Sequence, residues 1–134
     1  MKPLAGLALP QGENPVREVI PVNVTVPAID PLYAVALVKE SGATTAKVKI
    51  GEPGQSEEED IARVRAVREA LGPGGGLRVD VNASWDLDTA ARRIARLAEF
   101  DLQYVEQPVA TLDDMKALRS MVDVPLAADE LVRQ

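Results

Sequence analysis

Short runs of strand composition alternate with helical segments of about a dozen residues from Val19 to the C-terminus, and this rhythm constrains the fold more than any other feature of the chain. VIPVNVTVP (Val19 to Pro27) is rich in β-branched residues. PLYAVALVKESG follows as a helix, with Pro31 suited to its first turn and Gly42 to its end. AKVKI (Ala46 to Ile50) is a second strand. Ser56 and Glu59 form a capping box that opens a helix with Ile61, Val64, Val67 and Leu71 on its apolar face. Gly72-Pro73-Gly74-Gly75-Gly76 ends it. LRVDVN (Leu77 to Asn82) is a third strand, and Asp86 to Glu99 a third helix with Ala90, Ile94 and Leu97 on one side. QYVEQP, TLDDMKALRSMV and VPLAADE are then a fourth strand, a fourth helix and a fifth strand.

Repeated βα units predict an α/β fold with a parallel sheet. An open doubly wound sheet and a partial (β/α) barrel both fit that rhythm, and periodicity alone does not choose between them. Residues 1 to 17 are rich in Pro and Gly without a sustained period and are expected to be a linker, leaving 18 to 134 as one modest domain.

The net charge of -6, with no Lys/Arg cluster interleaved with aromatics, argues against a nucleic-acid partner. The chain contains no cysteine and no histidine, which excludes disulfides, thiolate sites and every Ser-His, Cys-His or zinc-histidine scheme. Any metal must be held by oxygen. Pro3 and Pro10 break the early apolar run before a signal-peptide core forms. Nothing approaches the roughly 20 apolar residues of a membrane span. A cytoplasmic location is the expectation.

Side chains of a strand point alternately to opposite faces, so parity is legible directly. Ala46, Val48 and Ile50 share one face of the second strand, and Lys47 and Lys49 the other. In the third strand Leu77, Val79 and Val81 oppose Arg78, Asp80 and Asn82. The fourth places Tyr104 with Glu106, and the fifth Ala127 with Asp129. Strands buried on both faces of a parallel sheet are almost continuously apolar, and these are not. Each charge taken singly has an ordinary explanation. Lys47 and Lys49 fit solvated strand ends, Asp80 with Asn82 a turn, Glu106-Gln107-Pro108 a strand exit, and Asp129-Glu130 a helix cap. Lys, Asp, Glu and Asp at equivalent C-terminal ends of successive strands form a joint pattern, placed where (β/α) barrels and open α/β sheets build their sites.

Carboxylates converging from Asp80, Glu106 and Asp129 make a hard, oxygen-only site suited to Mg²⁺ or Mn²⁺. A lysine beside such a dication has its neutral form favoured and serves as a base near neutral pH. The combination suits proton abstraction next to a substrate carboxylate.

On Lys47-Val48-Lys49, Asp80-Val81-Asn82, Glu106-Gln107-Pro108 and Ala128-Asp129-Glu130, in that order and spacing, the chain resembles the enolase superfamily. The resemblance is to the muconate-lactonising-enzyme-like subgroup that contains the o-succinylbenzoate synthases. It runs from about Val19 to Arg133, and TAKVKIGEPGQS and RVDVNASW look particularly like the actinobacterial synthases. It implies a (β/α)7β barrel of which this chain carries about the first five strands and four helices. It further implies Asp80, Glu106 and Asp129 as metal ligands, Lys49 as the acid-base residue, and Lys47 as its electrostatic support. By the same resemblance, Asn82 and Glu130 would belong to the surrounding polar shell.

The implied reaction converts 2-succinyl-6-hydroxy-2,4-cyclohexadiene-1-carboxylate to o-succinylbenzoate in menaquinone biosynthesis, so the expected partner is a small-molecule carboxylate. Such enzymes also carry an N-terminal capping domain and a second lysine on strand six. Neither has a counterpart between residues 1 and 134, so the chain is expected to be a fragment, residues 1 to 17 the remnant of a cap, and the fragment inactive by itself. Two other functions stay open: an N-succinylamino-acid racemase or dipeptide epimerase, and a non-catalytic half-barrel that self-associates through open strand edges.

Overall fold

The computed structural model describes residues 22–128. Within them five strands, β1 (Asn23–Val26), β2 (Thr45–Lys49), β3 (Gly76–Asp80), β4 (Tyr104–Glu106) and β5 (Leu126–Ala127), form one all-parallel sheet in the order β1-β2-β3-β4-β5. They alternate with four helices, α1 (Pro31–Ser41), α2 (Glu57–Leu71), α3 (Leu87–Leu97) and α4 (Leu112–Arg119). This order resolves the question that periodicity left open. A doubly wound sheet reverses direction at a switch point, whereas strands in sequence order with right-handed crossovers put every helix on one face, as in an arc of a (β/α) barrel.

Burial agrees with that arrangement. Val26, Ala46, Val48, Ile50, Leu77, Val79, Val81 and Val105 point to one face and are buried in a single core with Ala34 and Val38 of α1, Ile61, Val64 and Val67 of α2, Ala90, Ile94 and Leu97 of α3, and Met115 and Leu118 of α4. The other face carries Lys47, Lys49, Arg78 and Tyr104, all half-buried, with the buried Asp80 and Glu106.

Each helix starts on a side chain that satisfies an orphan amide. Asp30, Ser56, Asp86 and Thr111 accept from the amides of Leu32, Glu59, Thr89 and Asp114. The Ser56–Glu59 capping box forms in both directions. Two helices are shorter than the sequence pattern suggests. α3 ends at Leu97, after which a 3-10 turn (Ala98–Phe100) and a left-handed Asp101 tuck Phe100 into the core. α4 ends at Arg119, and the Ser120 amide folds back onto the Ala117 carbonyl. At the end of the sheet remote from the charged row, Arg68 donates to the carbonyls of Gly72, Gly75, Phe100 and Asp101 and ties two connections together.

The expectations for residues 1 to 17, for the start of the first strand at Val19, and for Asp129 and Glu130 lie outside the described residues. No helix among those described is long and apolar enough to cross a membrane.

Candidate metal centre

Sheet register puts Lys49 beside Asp80, Asp80 beside Glu106, and Glu106 beside Ala127, so one row crosses four strands at their C-terminal ends. The row below it is Thr25, Lys47, Arg78 and Tyr104. Neighbouring strands lie about 4.8 Å apart, which brings the Asp80 and Glu106 carboxylates side by side on one face. Asp80 is 2% exposed and Glu106 7%. Leaving either charge unmatched at that depth costs several kcal/mol, so the polar partners decide whether the row is tolerable.

The lysines supply that match. Lys49 Nζ donates to Asp80 Oδ2 at 2.8 Å and to Asn82 Oδ1 at 3.2 Å. Lys47 Nζ reaches across β3 to donate to Glu106 Oε1 at 3.1 Å. Burial pulls the Lys47 pKa down, but the hydrogen bond and charge of Glu106, with smaller contributions from Asp80 and Tyr104, outweigh it and hold the ammonium above the ordinary lysine value. Asp80 Oδ1 accepts from the Asn82 amide at 3.1 Å. In the lower row Arg78 donates to Gln103 Oε1 at 2.7 Å and lies 5.1 Å from the centroid of the Tyr104 ring.

Backbone strain concentrates at the same place. Asn82, Ala83 and Gln107 have φ of 56°, 64° and 46°, left-handed values that cost non-glycine residues about 1–3 kcal/mol each. Two sit in the exit from β3, two and three residues past its end, and one directly after β4. Their amides and carbonyls lace the exits together: Val81 N donates to Glu106 O, Ala83 N to Gln107 O, Trp85 N to Pro108 O, and Gln107 N to Ala127 O. The fully buried Gln107 closes the turn by donating from Nε2 to Val109 O at 2.8 Å.

The sequence-derived residues are thus partly assembled. Lys47, Lys49, Asp80, Asn82 and Glu106 converge at one end of the sheet. Asp129 and Glu130 lie outside the described residues, and among those described no three acidic side chains gather into a metal-ligating group. The donor set nonetheless fits a hard dication. Two buried carboxylates, held by the ammonium groups of Lys47 and Lys49 and, at Asp80, by the Asn82 amide, are oxygen donors of the kind a hard dication takes. Sequence reasoning named Gln107 only as part of Glu106-Gln107-Pro108 and gave it no role, and it did not pair Arg78 with Tyr104, although strand parity grouped Arg78 with Asp80 and Tyr104 with Glu106. It also missed the buried Asp60 and Arg63.

A family profile described as "Enolase C-terminal domain-like" matches residues 32–134, most of the chain. The chain belongs to this family. The o-succinylbenzoate synthase of Thermobifida fusca (strain YX) is 58% identical over 120 residues, covering 90% of this chain and 38% of that protein. The o-succinylbenzoate synthase of Mycolicibacterium smegmatis is 48% identical, covering 88% of this chain and 36% of that protein. Among solved structures, the dipeptide epimerase from Enterococcus faecalis V583 complexed with Mg and the dipeptide L-Leu-L-Tyr superposes with a TM-score of 0.71 at 36% identity, over 84% of this chain and 32% of that one. The chain therefore spans little more than a third of the length of the curated relatives it matches. Its five parallel strands and four helices are part of an enolase-superfamily barrel.

Proposed function

We propose that this chain supplies the metal-binding wall of an o-succinylbenzoate synthase, which dehydrates 2-succinyl-6-hydroxy-2,4-cyclohexadiene-1-carboxylate to o-succinylbenzoate in menaquinone biosynthesis. The observation that carries the proposal is the in-register row of Lys49, Asp80 and Glu106, with the lysine ammonium 2.8 Å from the Asp80 carboxylate. Identity of 58% with a named synthase supports the substrate class.

In this reading Asp80 and Glu106, with Asp129 as third ligand, hold Mg²⁺ or Mn²⁺. When bound, the dication supplies positive charge that stabilises negative charge developing on the substrate carboxylate. Lys49 Nζ takes the proton from the carbon next to that carboxylate. It then returns a proton to the departing hydroxyl, so that water leaves, the C–O bond breaks and the ring becomes aromatic. Lys47, kept cationic by Glu106, fixes the Glu106 carboxylate and adds positive potential below the reacting group. Asn82 orients Lys49 through its Oδ1. A cytoplasmic location accompanies this reading.

A dipeptide epimerase is the second reading, favoured by the fold match to the Enterococcus enzyme. The same lysine and dication serve a 1,1-proton transfer, and the two differ in whether a leaving group departs. This chain alone is expected to be inactive, so the deciding experiment offers a complete barrel that includes it, with Mg²⁺, the cyclohexadiene acid and, separately, N-succinylamino acids and dipeptides in D₂O. Aromatic product from the first supports the synthase. Deuterium incorporation into the second set without dehydration of the first overturns it.

A further inference from the structure

Among the described residues, the most deeply buried ion pair lies outside the charged row. Arg63 is 1% exposed and Asp60 3%, both on the first two turns of α2, and their side chains meet at 2.6 Å. Burying such a pair brings little net stability, since two well-packed apolar residues generally serve as well. Its hydrogen bonds indicate another use. Asp60 Oδ2 accepts from the Gly51 amide at 3.0 Å, and Arg63 donates to the Lys49 carbonyl at 2.9 Å, to Gln55 Oε1 at 3.1 Å and to the Ile29 carbonyl at 3.4 Å.

Pairing between β1 and β2 stops at Val26 and Val48. Beyond that level β2 has no strand on its β1 side. On its other side the Ile50 amide still donates to the Asp80 carbonyl at 3.1 Å. In a parallel ladder, one residue of a neighbouring strand donates to a carbonyl and accepts from the amide two positions on. Arg63 and Asp60 do this for Lys49 and Gly51, and so replace the missing residue of β1. The peptide after Lys49 is thereby gripped at both ends, its oxygen by Arg63 and its nitrogen by the backbone of β3.

We infer that the Asp60–Arg63 pair is a positioning device for Lys49, fixing the backbone from which that side chain reaches Asp80. The inference rests on Lys49 being the base of the proposed reaction, but its test does not. Catalysis tolerates little error in the placement of a reacting group, and a misplacement of about 1 Å costs on the order of a hundredfold in rate. A clamp of charged groups resists small shifts where apolar side chains slide.

The test compares the chain with its Asp60→Leu/Arg63→Met double variant, which keeps apolar volume and removes the clamp. Amide exchange and ¹³Cε lysine spectra are recorded without metal, and urea midpoints alongside. The expected result is exchange at Gly51 faster by on the order of tenfold, the loss of one local hydrogen bond. The Lys49 methylene signal also collapses toward that of a solvated lysine, while Ile61, Val64 and Val67 stay protected and the midpoint holds. An unchanged Lys49 signal overturns the inference. So does a uniform loss of protection with a lowered midpoint, which makes the pair a stability element. If the double variant does not fold, Arg63→Lys decides, because one ammonium cannot reproduce the fork. Its Lys49 signal is expected to collapse in a folded protein, and a parental signal refutes the clamp. Where turnover is measured, clamp variants lower kcat with KM nearly unchanged. Full turnover by Lys49→Ala removes the proposed chemistry but leaves the backbone result standing.

Discussion

Lys49 and Asp80 are register partners on adjacent strands and also form a 2.8 Å ion pair, so the site's cation and carboxylate are brought together by the sheet itself. In such an arrangement the ammonium and an incoming dication compete for the same carboxylate oxygens, and four predictions start from that row.

Asp80→Ala or Glu106→Ala weakens Mg²⁺ binding by more than the roughly 10–100-fold that loss of an outer-shell partner costs, because each removes a proposed direct oxygen ligand. Isothermal titration of the folded protein measures this. Unchanged affinity in either variant removes the residue from the site.

Lys49→Ala lowers proton transfer by about 10²–10⁴-fold, the usual worth of a general base. It does not weaken metal binding, since it withdraws a competitor for Asp80. Lys47→Ala acts through Glu106 and is expected to cost less. Exchange of the substrate's α-proton in D₂O separates the two. The opposite ranking exchanges their roles.

Much of this site was legible in the chain because strand parity is rigid. Once AKVKI, LRVDVN and QYVEQP are strands, Lys49, Asp80 and Glu106 must share a face. Capping was equally direct, since Ser56 and Glu59 form both bonds of the box. The strand order was not legible, because short βα units satisfy two topologies. Asp60 and Arg63 were hidden for a different reason. Glu57-Glu58-Glu59-Asp60 has the composition of a solvated first turn, and only the spacing of Asp60, Arg63, Val64 and Val67 along one helix face marks the pair as inward. The left-handed Ala83 has no propensity signal at all; it follows from the lacing of the β3 and β4 exits.

The Lys47 ammonium gives a pH signature. Its folded pKa lies above the ordinary 10.5, so its stabilising contribution is complete below that value and is lost as pH rises through the raised one. The stability difference between the parent chain and Lys47→Met should therefore be constant from neutral pH to about pH 10 and shrink above it. Urea midpoints of both proteins across that range measure it. A difference already shrinking near pH 8 contradicts the Glu106 pairing as its source.

Gly51 is required where the β2 exit meets the β3 exit. Its φ is 76°, and a Cβ there would collide with Ser84 Oγ and come within 3.1 Å of Val81 Cγ1 and 3.2 Å of Trp85 Nε1. Gly51→Ala thus pays twice, in backbone strain and in displacement of the loop carrying Trp85, and is expected to destabilise by about 1–3 kcal/mol. The Ala variant must move Trp85, the chain's single tryptophan, so its fluorescence reports the shift without interference. The Asp60 carboxylate also bonds the Gly51 amide, so the strain reaches the end of β2 from which Lys49 projects. Both the urea midpoint and the emission maximum are therefore expected to change. A Gly51→Ala protein with parental midpoint and emission would mean that the two exits are independent, and that the row of Lys49 and Asp80 is held by the sheet alone.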